Sequence, residues 1–370
     1  MKHTGNLAAS WLALVRRACA AACETKPRPA VRRSLCERRA LPLLALVVAA
    51  ASPLQAQDLS DRSVSSSSVL APAAIDAASI AQIGWVLFGG GTLIFVLVMA
   101  LLWRAMRKPA RPVRPALWIV GGGLVFPVVV LSALLGWTTL RSATFAQATP
   151  SDALVVSVTG HMWWWEIRYR DPATGEEIVT ANELHLPVGR TVHLGLTTAD
   201  VIHSFWVPQL GGKVDMMPGR VNRLLVNATE PGTYRGQCAE YCGTQHARMA
   251  LHVVAHAPDE FAAWLARQAQ AAAEPADALA LLGREAFVAQ RCAACHTVRG
   301  VAEGLQLGPD LTHVGSRLYL GAGVLPNHPG TLMAWISNVQ DLKPGARMPS
   351  FAHVGQADLK ALAAYLTQLK

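Results

Sequence analysis

Two uncharged apolar runs constrain this chain more than any other feature. Ile83–Trp103 is 21 residues long and Leu117–Leu140 is 24, neither with a charged side chain. As a helix the first would span about 31 Å, the thickness of a bilayer core. Inside lipid every backbone polar group must be bonded within its own segment, so each run is expected to be a transmembrane helix. The Gly89–Gly91 and Gly121–Gly123 runs suit close helix contact, and tryptophans stand at the segment ends. The stretch between them, 104–116, carries Arg104, Arg107, Lys108, Arg111 and Arg114 and no acid. By the positive-inside rule this loop is cytoplasmic, and everything after Leu140 lies on the other side.

The net charge of +9 raises the question of a nucleic-acid partner. Residues 1–56 hold nine Lys/Arg against two acids, and 104–116 add five more. The rest carries 19 basic and 22 acidic residues, so the basicity belongs to targeting and topology. No nucleic-acid partner is expected. Arg38-Arg39, the apolar Leu41–Leu54 and Gln55-Ala56 read as a signal peptide, giving a leader over 1–56. Residues 57–80 are Ser- and Ala-rich and are expected to be flexible, ahead of a helical hairpin over 81–140.

From 141 to 257 the pattern changes to short β-prone runs: Ala153–Val158, His161–Tyr169, Glu183–Leu186, Thr191–Leu196 and Arg223–Val226. Turn residues such as Asp171-Pro172, Pro187-Val188-Gly189 and Pro231-Gly232 divide them, which predicts a sandwich or barrel. Residues 258–277 open as a helix around Phe261, Trp264 and Leu265 and pass into an Ala/Gln/Glu-rich tether. Residues 278–370 read as a small helical domain.

Of seven cysteines, Cys19, Cys23 and Cys36 lie in the leader. The other four fall in two motifs. Cys238-x3-Cys242-x3-His246-x2-Met249, with His203 upstream, joins thiolate, imidazole and thioether, soft donors that favour copper. A mononuclear blue-copper site needs one Cys, two His and a weak Met, and here there is a second Cys. If both thiolates bridge two coppers, the side chains fill seven positions, and the backbone carbonyl of Glu240 makes eight, four per metal. A disulfide would not use His246 and Met249, and zinc would not need the thioether. His161, His185, His193, His252 and His256 have no such company and read as ordinary histidines.

The second motif, Cys292-Ala-Ala-Cys295-His296, is the attachment signature of a c-type haem. The cysteines would bond the haem vinyls and His296 the iron. Met348, in Pro344-Gly-Ala-Arg-Met-Pro349, is the expected sixth ligand because its Pro/Gly surroundings hold a loop, whereas Met333 sits in an apolar helical context. Zinc or a thiol-redox pair is the alternative for this motif.

With these motifs in hand, the chain resembles subunit II of haem–copper cytochrome c oxidases over about residues 80–267. The resemblance rests on the helical hairpin, Gly160-His161-Met162-Trp163-Trp164-Trp165, Ala181-Asn182-Glu183-Leu184-His185-Leu186-Pro187, Pro218-Gly219-Arg220 and the copper loop. It implies a cupredoxin Greek-key barrel holding the binuclear centre CuA, with Trp163 the residue through which electrons enter. It also implies a magnesium or manganese ion, held by the Glu240 side chain at the boundary with subunit I. Residues 278–370 resemble an all-α class I cytochrome c domain. There Gly308-Pro309-Asp310-Leu311 matches the turn whose Pro309 packs by the haem and whose carbonyl holds the proximal histidine. Ala278–Gln290 and Gln356–Leu369 match its first and last helices, with Gly283, Phe287 and Tyr365 at their crossing. Two departures stand out: Met162 replaces the more frequent Gln, and Pro115-Ala116-Leu117-Trp118 lacks the glutamate that opens the second helix in many members.

The resemblance implies an oxidoreductase and translocase subunit in a bacterial inner membrane, both metal domains outside the cytoplasm. Electrons would pass from cytochrome c or a cytochrome bc1-type donor to haem c, to CuA, and on to subunit I. That subunit, associated also with subunit III, would reduce oxygen and pump protons; this chain itself would bind no oxygen. The alternative is the small subunit of a CuA-containing nitric oxide reductase.

Overall fold

The computed structural model describes residues 67–107, 114–142, 150–151, 153–171 and 174–370. The expected leader, the start of the Ser/Ala-rich segment, Lys108 and Arg111 of the basic loop, and Pro172 lie outside the described residues.

Helix α1, Ile75–Arg107, contains the first apolar run and begins eight residues before it. The second run is helical over Leu117–Ser142. Its first part, Leu117–Val125, is π-helical, and α2 follows over Phe126–Ser142. Pro127 is the cause we assign: its ring would clash with the carbonyl four residues back, and the wider turn avoids this. The N–H of Phe126 accordingly bonds the Gly121 carbonyl, five residues back. Both helices expose their apolar side chains, Phe88 at 71% and Leu135 at 68%, as helices that meet lipid must. At the end of α1 the Arg107 guanidinium lies 4.2 Å over the Trp103 ring.

Among the described residues, ten strands form the β-domain. They are β1 Leu154–His161, β2 Trp164–Arg170, β3 Glu177–Ala181, β4 Glu183–Pro187, β5 Val192–Thr198, β6 His203–Trp206, β7 Val214–Met216, β8 Asn222–Val226, β9 Gly232–Cys238 and β10 Ala250–His256. One sheet runs β3-β2-β1-β5-β8 and the other β4-β10-β9-β6-β7. The pairs β1–β5 and β4–β10 are parallel, the rest antiparallel. In β5 every second residue, Val192, Leu194, Leu196 and Thr198, is buried, the period of a sheet with one face on the core. Trp165, Ile167, Leu184, Leu186 and Phe205 fill the space between the sheets. Strand β4 is buried at every residue and β10 at all but two. Their outer faces are covered as well, by helix α3 (Pro258–Gln268) and by the helical domain.

Helix α3 buries Phe261, Trp264, Leu265 and Gln268, one face at helical spacing, and stacks Trp264 on His185 at 4.0 Å. The helical domain contains α4 Ala278–Ala289, a short ribbon β11 Tyr319–Leu320 with β12 Leu325–Pro326, α5 Pro329–Leu342 and α6 Gln356–Gln368. Helices α4 and α6 cross at Gly283, where a Cβ would stand 2.0 Å from the Ala361 carbonyl oxygen, and Phe287 meets Tyr365 edge-on at 6.1 Å.

Two expectations of flexibility are corrected. In the segment 57–80, the part from Ala71 is docked on the β-domain. Ala73 N–H donates to Gln209 O, Thr229 N–H to Ala73 O, and Ala73, Ala74 and Ala77 are buried in its core. Alanines are small enough to lie flat on that surface, so the composition that reads as a loose tether serves close packing. The tether after α3 is likewise held. Ala272 N–H donates to Arg299 O, and the Arg299 guanidinium donates to the carbonyls of Gln268 and Ala269. Ala276 N–H bonds Gln368, and Glu274 pairs with Arg284 at 2.7 Å.

Candidate metal and haem centres

The copper-type donors converge at one end of the β-domain. Strand β9 delivers Cys238, β6 delivers His203, and the loop into β10 carries Cys242, His246 and Met249. Cys238 and Cys242 are buried free thiols with sulfurs 3.8 Å apart, too far for a disulfide. One ion at about 2.3 Å from each sulfur could bridge them. His203 Nδ1 lies 3.8 Å from Cys238 Sγ, His246 Nδ1 3.6 Å from Cys242 Sγ, and Met249 Sδ 3.8 Å from Cys242 Sγ. The Glu240 carbonyl oxygen stands 3.2 Å from Cys238 Sγ, while its carboxylate is half exposed beside Lys213. The sequence-predicted donors therefore meet around the sulfur pair, one imidazole on each flank. Backbone space is part of this arrangement: a Cβ on Gly160 would meet the His203 ring at 2.8 Å.

Asp200, which motif reading did not single out, bonds His203 Nε2 at 2.9 Å and leaves Nδ1 facing the sulfur. A ligating histidine needs such a partner to fix its tautomer, and a carboxylate three residues earlier was the available signal. Burial opposes charge on His203, but hydrogen bonds to Asp200 and Cys238 outweigh it and raise its pKa to about 8. A hydrogen bond from the Cys242 thiol, against burial, holds the Cys238 pKa well down, and the same neighbour pushes Cys242 up. An incoming metal would displace the thiol protons of this pair.

The helical domain encloses a cavity of about 580 Å³. Cys292, Cys295, His296, Pro309 and Met348 all line it, and Met333 does not. The Pro309 carbonyl accepts from His296 Nδ1 at 2.7 Å, leaving Nε2 for a metal. At Gly308 a Cβ would strike the same ring at 2.7 Å. Arg317, buried on the cavity wall, has an Nε with no protein partner, which suits a ligand bearing carboxylates such as haem. Met162, Trp163, Trp164 and Asn182 of the β-domain complete the wall.

Trp163 thus stands between the two centres. Its indole N–H donates to the Cys242 carbonyl at 2.8 Å. A Cβ on Gly243, in the copper loop, would lie 3.0 Å from its ring, and one on Gly345, near Met348, would lie 3.5 Å away. Lys343, also missed by motif reading, is buried with three backbone carbonyls around its Nζ. Burial pushes its pKa down to about 7, yet three acceptors are satisfied only by the ammonium form. His185 bonds His256 at 2.8 Å and His252 stacks on Tyr319 at 4.2 Å, so these three pack within the fold away from the sulfur pair.

The sequence of this chain matches known proteins over both domains. The family "Cytochrome C oxidase subunit II, periplasmic domain" matches residues 173–256, and the family "Cytochrome c" matches 280–370. Both point to copper and haem as the bound groups. Cytochrome c oxidase subunit 2 of Alkalihalophilus pseudofirmus is 38% identical over 251 residues, covering 66% of this chain and 71% of that protein. Its counterpart from Bacillus subtilis is 32% identical over 257 residues, covering 67% and 70%. Among solved structures, the periplasmic domain of subunit II of cytochrome oxidase of Bradyrhizobium japonicum is 33% identical, with a TM-score of 0.30, covering 32% of this chain and 95% of that one. With a β-domain and a cytochrome c domain behind two membrane-length helices, the chain belongs to the cytochrome c oxidase subunit 2 family, a membrane-bound part of the respiratory oxidase that associates with subunit I.

Proposed function

We propose that this chain carries electrons from a haem c, which Cys292, Cys295, His296 and Met348 would hold, to a pair of coppers. The coppers are held by His203, Cys238, the Glu240 carbonyl, Cys242, His246 and Met249. Each group supplies one-electron carriage, and the protein supplies spacing and insulation. His296 is oriented by Pro309, His203 by Asp200, and Trp163 touches both the copper loop and the haem cavity. Electrons then leave for the oxygen-reducing, proton-pumping subunit I, with subunit III alongside, in a bacterial inner membrane. The upstream donor is a cytochrome c or a cytochrome bc1-type complex. The Glu240 carboxylate, half exposed next to the copper loop, is offered to magnesium or manganese at the subunit I boundary.

The observation that carries this reading is the double position of Trp163, bonded to Cys242 and walling the cavity of His296. Metal analysis of the purified complex tests it. Two coppers per covalent haem in this subunit, with a thiolate-bridged mixed-valence spectrum, are expected. One copper per haem with a blue single-thiolate spectrum would overturn the binuclear assignment.

A further inference from the structure

The two metal-binding domains are joined by more than the covalent linker. Lys343, just past the end of α5, is 3% exposed. Its Nζ donates to three carbonyl oxygens at 2.7 Å each: Trp163 and Arg248 of the copper domain, and Gly321 of its own domain. A buried ammonium persists only where its donors are all taken, and here two of the three acceptors belong to the other domain. Around it, Gln245 Nε2 donates to Pro344 O at 2.8 Å and Arg248 to Leu342 O at 2.5 Å. Ala250 N–H donates to Ala322 O at 3.0 Å, and the buried Glu183 carboxylate accepts from the Leu318 N–H. These bonds join edges of β4 and β10 to the haem domain and account for strands buried on both faces.

We propose that the haem domain is a fixed cap on the copper domain, with Lys343 as the positioning residue that seats it over Trp163. Resting on the relay reading above, this assigns the seated interface two tasks. It holds the His296 cavity against Trp163, so that transfer between the centres needs no docking motion. It also covers the Trp163 face, so that a soluble donor protein meets the haem domain and not the copper domain. One electron leaves the iron, which is oxidised, and one arrives at the copper pair, which is reduced. No bond breaks and no proton moves.

The test uses the full, metal-loaded subunit and two readouts. Hydrogen exchange at the Ala250 and Leu318 amides reports seating directly, since both donate across the interface, and they should exchange slowly in the unaltered protein. After flash reduction of the haem, the haem-to-copper rate should not change with solvent viscosity. Lys343→Met should speed exchange at these two amides while sparing Val158 and Leu194 of the β-domain core. It should also slow transfer by about tenfold or more, as when the seated population falls to a tenth, and make the rate viscosity-dependent. Unaltered protein whose rate falls with viscosity, or whose two amides exchange freely, would overturn the cap even if Lys343→Met does not fold. Unchanged exchange and rate in Lys343→Met would overturn the role of Lys343. Failure of the relay itself has a different signature: copper that stays oxidised after haem reduction while the two amides remain protected.

Discussion

The indole N–H of Trp163 donates to the main-chain carbonyl of Cys242 at 2.8 Å, so a residue on the haem-cavity wall is bonded to the loop that carries the copper-type ligands. Trp163→Phe keeps an aromatic ring and removes the donor. We expect copper content to be unchanged, domain stability to fall by about 1 kcal/mol, and haem-to-copper transfer to slow. Metal analysis with flash-induced kinetics checks this; an unaltered transfer rate would take Trp163 off the path.

Asp200 accepts from His203 Nε2 at 2.9 Å and also from the Met162 and Val201 N–H groups. Asp200→Asn retains the shape but loses the carboxylate that fixes the histidine tautomer. Copper affinity should drop roughly 10–100-fold. Competition with a copper chelator measures it, and equal affinity would show that His203 is oriented without Asp200.

His256 provides a pH signature. Burial, then the nearby His185, lowers its pKa from 6.5 to about 4. The fold holds the neutral ring, so this contribution is complete above pH about 6.5 and is lost as pH falls toward 4. The loss should amount to about 1–3 kcal/mol. His256→Phe should be less stable at pH 7, because His185 loses its 2.8 Å partner, yet should show a flatter acid limb. Denaturant titrations of both proteins between pH 7 and 4 compare the slopes; parallel curves would rule His256 out as the titrating group.

The residues proposed to hold copper and haem could be picked out because most of each set falls in one local spacing, and spacing survives in a linear string. His203 lies outside that spacing, remote in sequence, as a donor from a facing element does. Helices α4 and α6 were legible through the resemblance to class I cytochromes c, and β1, β2, β4, β5 and β8 as short β-prone runs between turn residues. Strands β3, β6, β7, β9 and β10 were not. Strand β9, Gly-Thr-Tyr-Arg-Gly-Gln-Cys, has too few apolar residues to show alternation, and β10 is buried on both faces, which erases it. The docked stretches 71–77 and 269–276 read as tethers because alanine-rich composition does not distinguish a loose chain from a tightly laid one. Lys343 carries no local signal at all. In Asp-Leu-Lys-Pro-Gly it reads as a surface lysine, and only the meeting of two domains buries it.

Stopped-flow reduction of the whole subunit, followed at several protein concentrations, tests the central claim most directly. With the His296 cavity walled by Trp163 and the domains joined through Lys343, haem and copper share one chain and one interface. Copper reduction should follow haem reduction at a rate independent of subunit concentration. It should also be less sensitive to salt than reduction by an added cytochrome, whose approach relies on long-range charge. A rate rising in proportion to subunit concentration would show that the two centres exchange electrons only between molecules, contradicting the account.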